Sequence, residues 1–273
     1  MGQLKSEFYY LLFYTMLGNI LIASDFSEAA NTAMGYAVQL AESTDQDIIV
    51  MYVHNDEETE PEIRARFEKL ERDFIYGRGI GCTFDTRTGS VIQSIQEAVK
   101  EYDIDLVVIG TRGFGGLKEM ELGSLTAEML DHLEFPIISI PKYCKKLDLK
   151  HIALASDLII GDHKRALKIV YELATVCNSE IKVVHVNDGR EVLGEEVIME
   201  LNSIFSVVPH SYIELDEKNI AEGLLNYCNE EEVDLLITLR KQQKESDQRL
   251  IGSISKQLSL RGNVPLMVIP SGN

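Results

Sequence analysis

Short apolar runs alternate along this chain with stretches in which apolar residues recur every third or fourth position, and that alternation predicts strands and helices in turn. In the first half the runs fall near residues 20–24, 48–53, 82–86, 105–109 and 137–141. The central ones are nearly all apolar, as parallel strands are when helices bury both of their faces. Between them Ala30, Ala33, Met34, Ala37, Val38 and Ala41 form one helical stripe, with Ser27 placed to cap it. Ile63, Phe67, Leu70 and Phe74 mark a second helix, and Val91, Ile95, Ala98 and Val99 a third. The acidic run Asp56-Glu57-Glu58-Thr59-Glu60 starts the second helix, where carboxylates complement the helix dipole. Such a succession of βαβ units predicts an α/β fold with a mostly parallel sheet.

The pattern then returns. Ile20 to Asp25 (ILIASD) recurs as Ile152 to Asp157 (IALASD), Ile48 to Val53 as Ile181 to Val186, and Asp103 to Ile109 as Glu232 to Thr238. Gly123-Ser124-Leu125 recurs as Gly252-Ser253-Ile254, and Phe135 to Pro141 as Val264 to Pro270. Five landmarks in one order, each about 130 residues from its partner, make two homologous halves joined at the polar junction Lys142-Tyr143-Cys144-Lys145-Lys146. The expected organisation is an extension over residues 1–18, a first domain over 19–145 and a second over 146–273. Each domain is expected to be doubly wound on a five-stranded parallel sheet, with Asp162 opening the first helix of the second. The run Phe8 to Met16 (FYYLLFYTM) is shorter than the roughly 20 apolar residues of a spanning helix and has no basic flank or cleavage signal. It reads as a short extension, with Met16 a candidate natural start, and no membrane partner is expected.

Composition narrows the chemistry. The 273 residues carry 26 Lys plus Arg against 44 Asp plus Glu, a formal charge of -18, which repels a phosphate backbone and sets nucleic-acid partners aside. Four cysteines, Cys82, Cys144, Cys177 and Cys228, include no C-x-x-C pair, so neither a disulfide framework nor a zinc knuckle is expected, and a reducing cytoplasm fits. The six histidines have no metal-ligand spacing, and no G-x-S-x-G elbow is present.

One loop carries a signal. Strand four of the first half ends at Gly110, and Thr111 to Ser124 complete the spacing G-x2-G-x9-G-S through Gly113 and Gly123. Glycines just beyond a strand's carboxyl end let backbone amides approach a ribose or phosphate. Gly123 and Ser124 open the next helix, whose free N–H groups and dipole favour an anion. The loop, with its Gly-Thr-Arg-Gly opening and Gly-Ser-Leu-Thr close, resembles the nucleotide-binding loop of the universal stress protein family, and the resemblance covers nearly the whole chain in tandem. It implies two flavodoxin-like domains of the adenine nucleotide alpha-hydrolase-like type and a cytoplasmic stress-response module that binds ATP, with or without Mg2+. It further implies contacts to the nucleotide from Asp25 and Val53 at the ends of strands one and two, and from Gly110, Arg112, Gly113, Gly123, Ser124 and Leu125 in the loop. The alternative for Asp25 is the acceptor of a helix entry, and Arg112 and Lys118 fit solvated surface positions.

The second half departs from this pattern, with Leu239 opposite Gly110 and Gln242 opposite Gly113, so ATP is expected in the first half only. No catalytic set accompanies the loop, which lacks the P-loop Lys-Ser/Thr pair, so at most slow ATP hydrolysis is expected. A rival reading makes the glycine loop a relic in an interaction module. In the resembled family related domains dimerise through edge strands, which implies that the two halves here pair with each other through residues 137–141 and 265–269, with protein partners unidentified and homodimerisation of whole chains left open.

Overall fold

The computed structural model describes residues 18–55, 58–111, 126, 128–129, 134–144, 149–156, 163–187, 194–240, 254–255, 257–259 and 261–270. Its first half runs β1 (Asn19–Ala23), α1 (Glu28–Thr44), β2 (Ile48–His54), α2 (Glu60–Leu70), β3 (Cys82–Thr88), α3 (Val91–Glu101), β4 (Ile104–Thr111) and β5 (Ile137–Pro141). The second half runs β6 (His151–Ala155), α4 (Lys164–Cys177), β7 (Glu180–Asn187), α5 (Glu195–Ile204), β8 (His210–Asp216), α6 (Ile220–Glu230), β9 (Leu235–Arg240) and β10 (Leu266–Pro270).

Local chemistry accounts for the element ends. Ser27 caps α1, its hydroxyl accepting the Ala30 N–H at 3.2 Å, and Asp45 closes the helix in the left-handed region at φ 56°. The alanine stripe of α1 has almost no side chain to hold it off the sheet, and Ala33, Ala37 and Ala41 are fully buried. At the entry to α2 the Glu62 carboxylate accepts both the Thr59 N–H at 3.0 Å and its hydroxyl at 2.7 Å. Phe74 falls beyond α2, in a π-helical stretch Glu71–Ile75 closed by the bond from Tyr76 N–H to the Glu71 carbonyl at 2.8 Å. The wider turn lays the Phe74 ring against Gly35 of α1, where a Cβ would touch it at 3.6 Å. Asp162 lies outside the described residues.

All ten strands form one sheet in the order β3-β2-β1-β4-β5-β10-β9-β6-β7-β8. Within each half every pairing is parallel. The halves meet through the antiparallel pair β5–β10, in which Ile137, Ile138 and Ser139 face Val268, Met267 and Leu266. Each half would otherwise present its last strand as an open edge, and the pair covers both edges at once. Helices α1, α2, α4 and α5 bury one face of the sheet and α3 and α6 the other. Both cores run through the junction, since Ile138 and Met267 belong to one and Ile137 and Val268 to the other. The four cysteines are free thiols, and burial pushes those of Cys82 and Cys228 up to about 12. No helix among the described residues is long and apolar enough to cross a membrane.

Candidate functional site

In the first half, β1 and β4 lie side by side with Ala23 opposite Ile109, while their connections leave toward α1 and toward the segment after Thr111. This is the switch point of the sheet, where a crevice opens at the carboxyl ends of the strands. Two turns of sequence build its floor. Past Ala23 the Ser24 N–H still bonds the Met51 carbonyl of β2 at 2.9 Å, and the buried Ser24 hydroxyl accepts the Phe26 N–H at 3.1 Å. That bond holds Phe26 at φ 63°, in the left-handed region that a bulky side chain rarely adopts. Asp25, half-buried, accepts the Ser27 N–H at 3.0 Å, so the helix-entry reading describes one of its bonds.

Val53 sits two residues beyond Met51. The N–H and C=O of one strand residue point to the same side, alternating along the strand. Met51 gives its carbonyl to Ser24 on the β1 side, so the Val53 peptide groups also face that side, past the point where β1 has turned away. On its other side β2 stays paired, with Val53 in register with Arg87 and His54 with Thr88 of β3.

Gly110 is adjacent to this crevice, in register with Ile140 of β5. A Cβ at this glycine would lie 2.5 Å from the Ala29 carbonyl carbon and oxygen and 2.9 Å from the Ala30 nitrogen. The requirement for glycine here therefore comes from the first turn of α1, which presses its backbone onto β4. In the sequence this glycine reads as room for a ligand, and the close approach of Ala29 adds a packing reason for it. Arg112, Gly113, Gly123, Ser124 and Leu125 lie outside the described residues.

The second half differs at the matching place. Leu239 pairs with Ile269 as Gly110 pairs with Ile140, and its side chain packs half-buried into the core shared with α4. α1 begins at the fifth residue after β1, whereas α4 begins at the ninth after β6. Asp157, Gln242, Gly252 and Ser253 lie outside the described residues.

Sequence reading missed a cluster beside Asp25 and Val53. Phe26 packs edge-on against Tyr52 with ring centroids 4.8 Å apart and against Phe67 at 5.4 Å. Tyr52 donates its hydroxyl to Glu58, whose other oxygen receives Arg66 Nη2 at 2.6 Å. The Tyr52 hydroxyl and then the Arg66 guanidinium hold the Glu58 carboxyl below the usual carboxylate range. Burial first, then the nearby Glu58 charge, raises the Tyr52 phenol. Nothing in the spacing of Tyr52, Glu58 and Arg66 joins them, since the connection runs through β2, α2 and the stretch between them. Among the described residues, no three His, Cys, Asp or Glu side chains are grouped to hold a metal ion.

A family model described as the universal stress protein family matches residues 16–141 and 200–270. The universal stress protein Sll1388 of Synechocystis sp. is 25% identical over 148 residues, a match that takes in 44% of this chain and 96% of that protein. YxiE of Bacillus subtilis, also a universal stress protein, is 23% identical over 145 residues, 45% of this chain and 98% of its own. Among solved structures, a universal stress protein from Archaeoglobus fulgidus DSM 4304 superposes over 93% of this chain and 98% of its own, with a TM-score of 0.73 at 19% identity. A functionally unknown protein of Pseudomonas aeruginosa PAO1, PA1789, superposes over 93% of each chain with a TM-score of 0.66 at 14% identity.

Proposed function

The chain belongs to the universal stress protein family, and from that premise we propose that its first half is a receptor for ATP, with or without Mg2+, in a cytoplasmic module of the stress response. The observation that carries this reading is the direction of the Val53 peptide, whose N–H and C=O face the switch-point crevice where β1 has ended. A donor and an acceptor side by side match the acceptor N1 and the amino group of adenine, and they mismatch guanine, which presents the opposite order. Asp25 lies at the same rim, one residue past Ser24. The segment leading from Gly110 through Gly113 to Gly123 and Ser124 is where ribose and phosphates would be held, by backbone N–H groups in a molecule whose net charge of -18 otherwise repels them.

The second half has Leu239 where this arrangement needs the helix turn against a glycine, so one nucleotide per chain is expected. Among the described residues no paired acid and base stands at the rim, and the loop lacks the P-loop Lys-Ser/Thr pair, so we read binding rather than turnover as the function, with hydrolysis slow at most. Titration calorimetry of the full chain tests this. ATP should bind at one site per chain in preference to GTP, and Gly113→Val or Gly123→Val should abolish binding. A folded chain without affinity for any adenine nucleotide overturns the proposal, and two equal sites per chain overturn the assignment to the first half.

A further inference from the structure

A peptide group reads a base edge only if it is held still, and beyond Met51 the β1 side of β2 has no strand to hold it. Side chains do the holding instead. Tyr52, directly before Val53, gives its hydroxyl to Glu58 on the stretch that leads into α2. Glu58 receives Arg66 of α2 at 2.6 Å, and Arg66 Nη1 stands 3.5 Å from the Tyr52 hydroxyl. The guanidinium also lies over two rings, its carbon 5.4 Å from the centroid of Phe26 and 5.9 Å from that of Tyr52. Four pieces are thus tied together: the turn carrying Asp25, the end of β2, the entry to α2, and α2 itself.

The second half shows that the fold does not need this arrangement. His185 replaces Tyr52 and turns its Nδ1 to the Ser156 carbonyl at 3.1 Å. Helix α5, of sequence EEVIMELNSI, contains no basic residue. The sheet is nonetheless the same, with β7 in register between β6 and β8. Among the described residues, then, the tyrosine and the helix cation of the cluster belong to the half that has Gly110 and have no counterpart in the half that has Leu239. Arg66 is also not a spare cation for phosphate, because Glu58 already neutralises it.

We propose that Tyr52, Glu58 and Arg66 form a clip that sets the Val53 peptide for reading a nucleobase edge, which makes them positioning residues of the nucleotide site. This rests on the receptor reading above. The test combines amide hydrogen exchange at His54, the residue after Val53, with ATP and GTP titrations of the full chain, in the wild type and in Glu58→Gln, Arg66→Met and the near-isosteric Tyr52→Phe. Each variant should exchange faster at His54, on the side of β2 that pairs with β3, while keeping its melting temperature. Each should also bind ATP on the order of tenfold more weakly, the equivalent of about 1.4 kcal/mol and in the range of a lost charge-assisted hydrogen bond. The preference for ATP over GTP should narrow with it, a change that loss of general stability would not produce. Unaltered ATP affinity and wild-type His54 exchange in all three variants would overturn the clip alone. A wild type that binds no ATP would overturn the receptor reading, and with it this role for the clip.

Discussion

A methyl group at position 110 would lie 2.5 Å from the backbone of Ala29, closer than real Cβ atoms come, and the neighbour is a carbonyl rather than a side chain that could swing aside. Gly110→Ala must therefore push α1 off β4 or bend the strand. Overpacking of this kind costs about 1–3 kcal/mol, and urea denaturation should show a loss of that size even without ligand. A glycine kept only for ligand approach would leave the unliganded stability nearly unchanged, so the experiment separates the two reasons for having no side chain there. Phe26 is the opposite case, a bulky residue at φ 63°, held there by the Ser24 hydroxyl and by rings on β2 and α2.

Helices α1 and α4 occupy matching places in the two halves and differ in what they bury. α1 lays alanines on the sheet, whereas α4 places a carboxyl, Glu172, among its buried residues, with Lys168 Nζ 3.5 Å away at the neighbouring turn. Burial raises the Glu172 carboxyl above its ordinary 4.5, and Lys168 opposes the shift without cancelling it. The folded chain then holds that proton more tightly than the unfolded chain does. The stabilising contribution is complete below the unfolded value and is lost as pH rises through the folded one. Glu172→Gln stays neutral throughout, so the variant should gain stability relative to the wild type on going from pH 4 to pH 7. Denaturation midpoints at the two pH values check the sign, and an unchanged difference would mean that Glu172 titrates alike in both states.

At the scale of the molecule, the antiparallel β5–β10 pair makes two parallel five-stranded sheets into one. Met267, fully buried opposite Ile138, lies in a core that spans both halves. Met267→Lys puts an uncompensated charge there, at a cost on the order of 3–5 kcal/mol. Calorimetry should show one cooperative transition for the wild type and two for the variant, since each half retains its own helices and sheet. Much of this architecture was legible without coordinates. The ten strands, the tandem halves and the Ser27 cap follow from short apolar runs, a helical period of 3.6 residues and a repeat, which are local properties written along the chain. The location of Val53 at the end of β2 was legible for the same reason. The direction of its peptide, the pressure of Ala29 on Gly110, the packing of Leu239 into the core and the meeting of Tyr52, Glu58 and Arg66 were decided only in three dimensions. Each joins residues from separate elements through packing or hydrogen bonding, and no periodicity along a chain records which distant group fills the space beside a given atom.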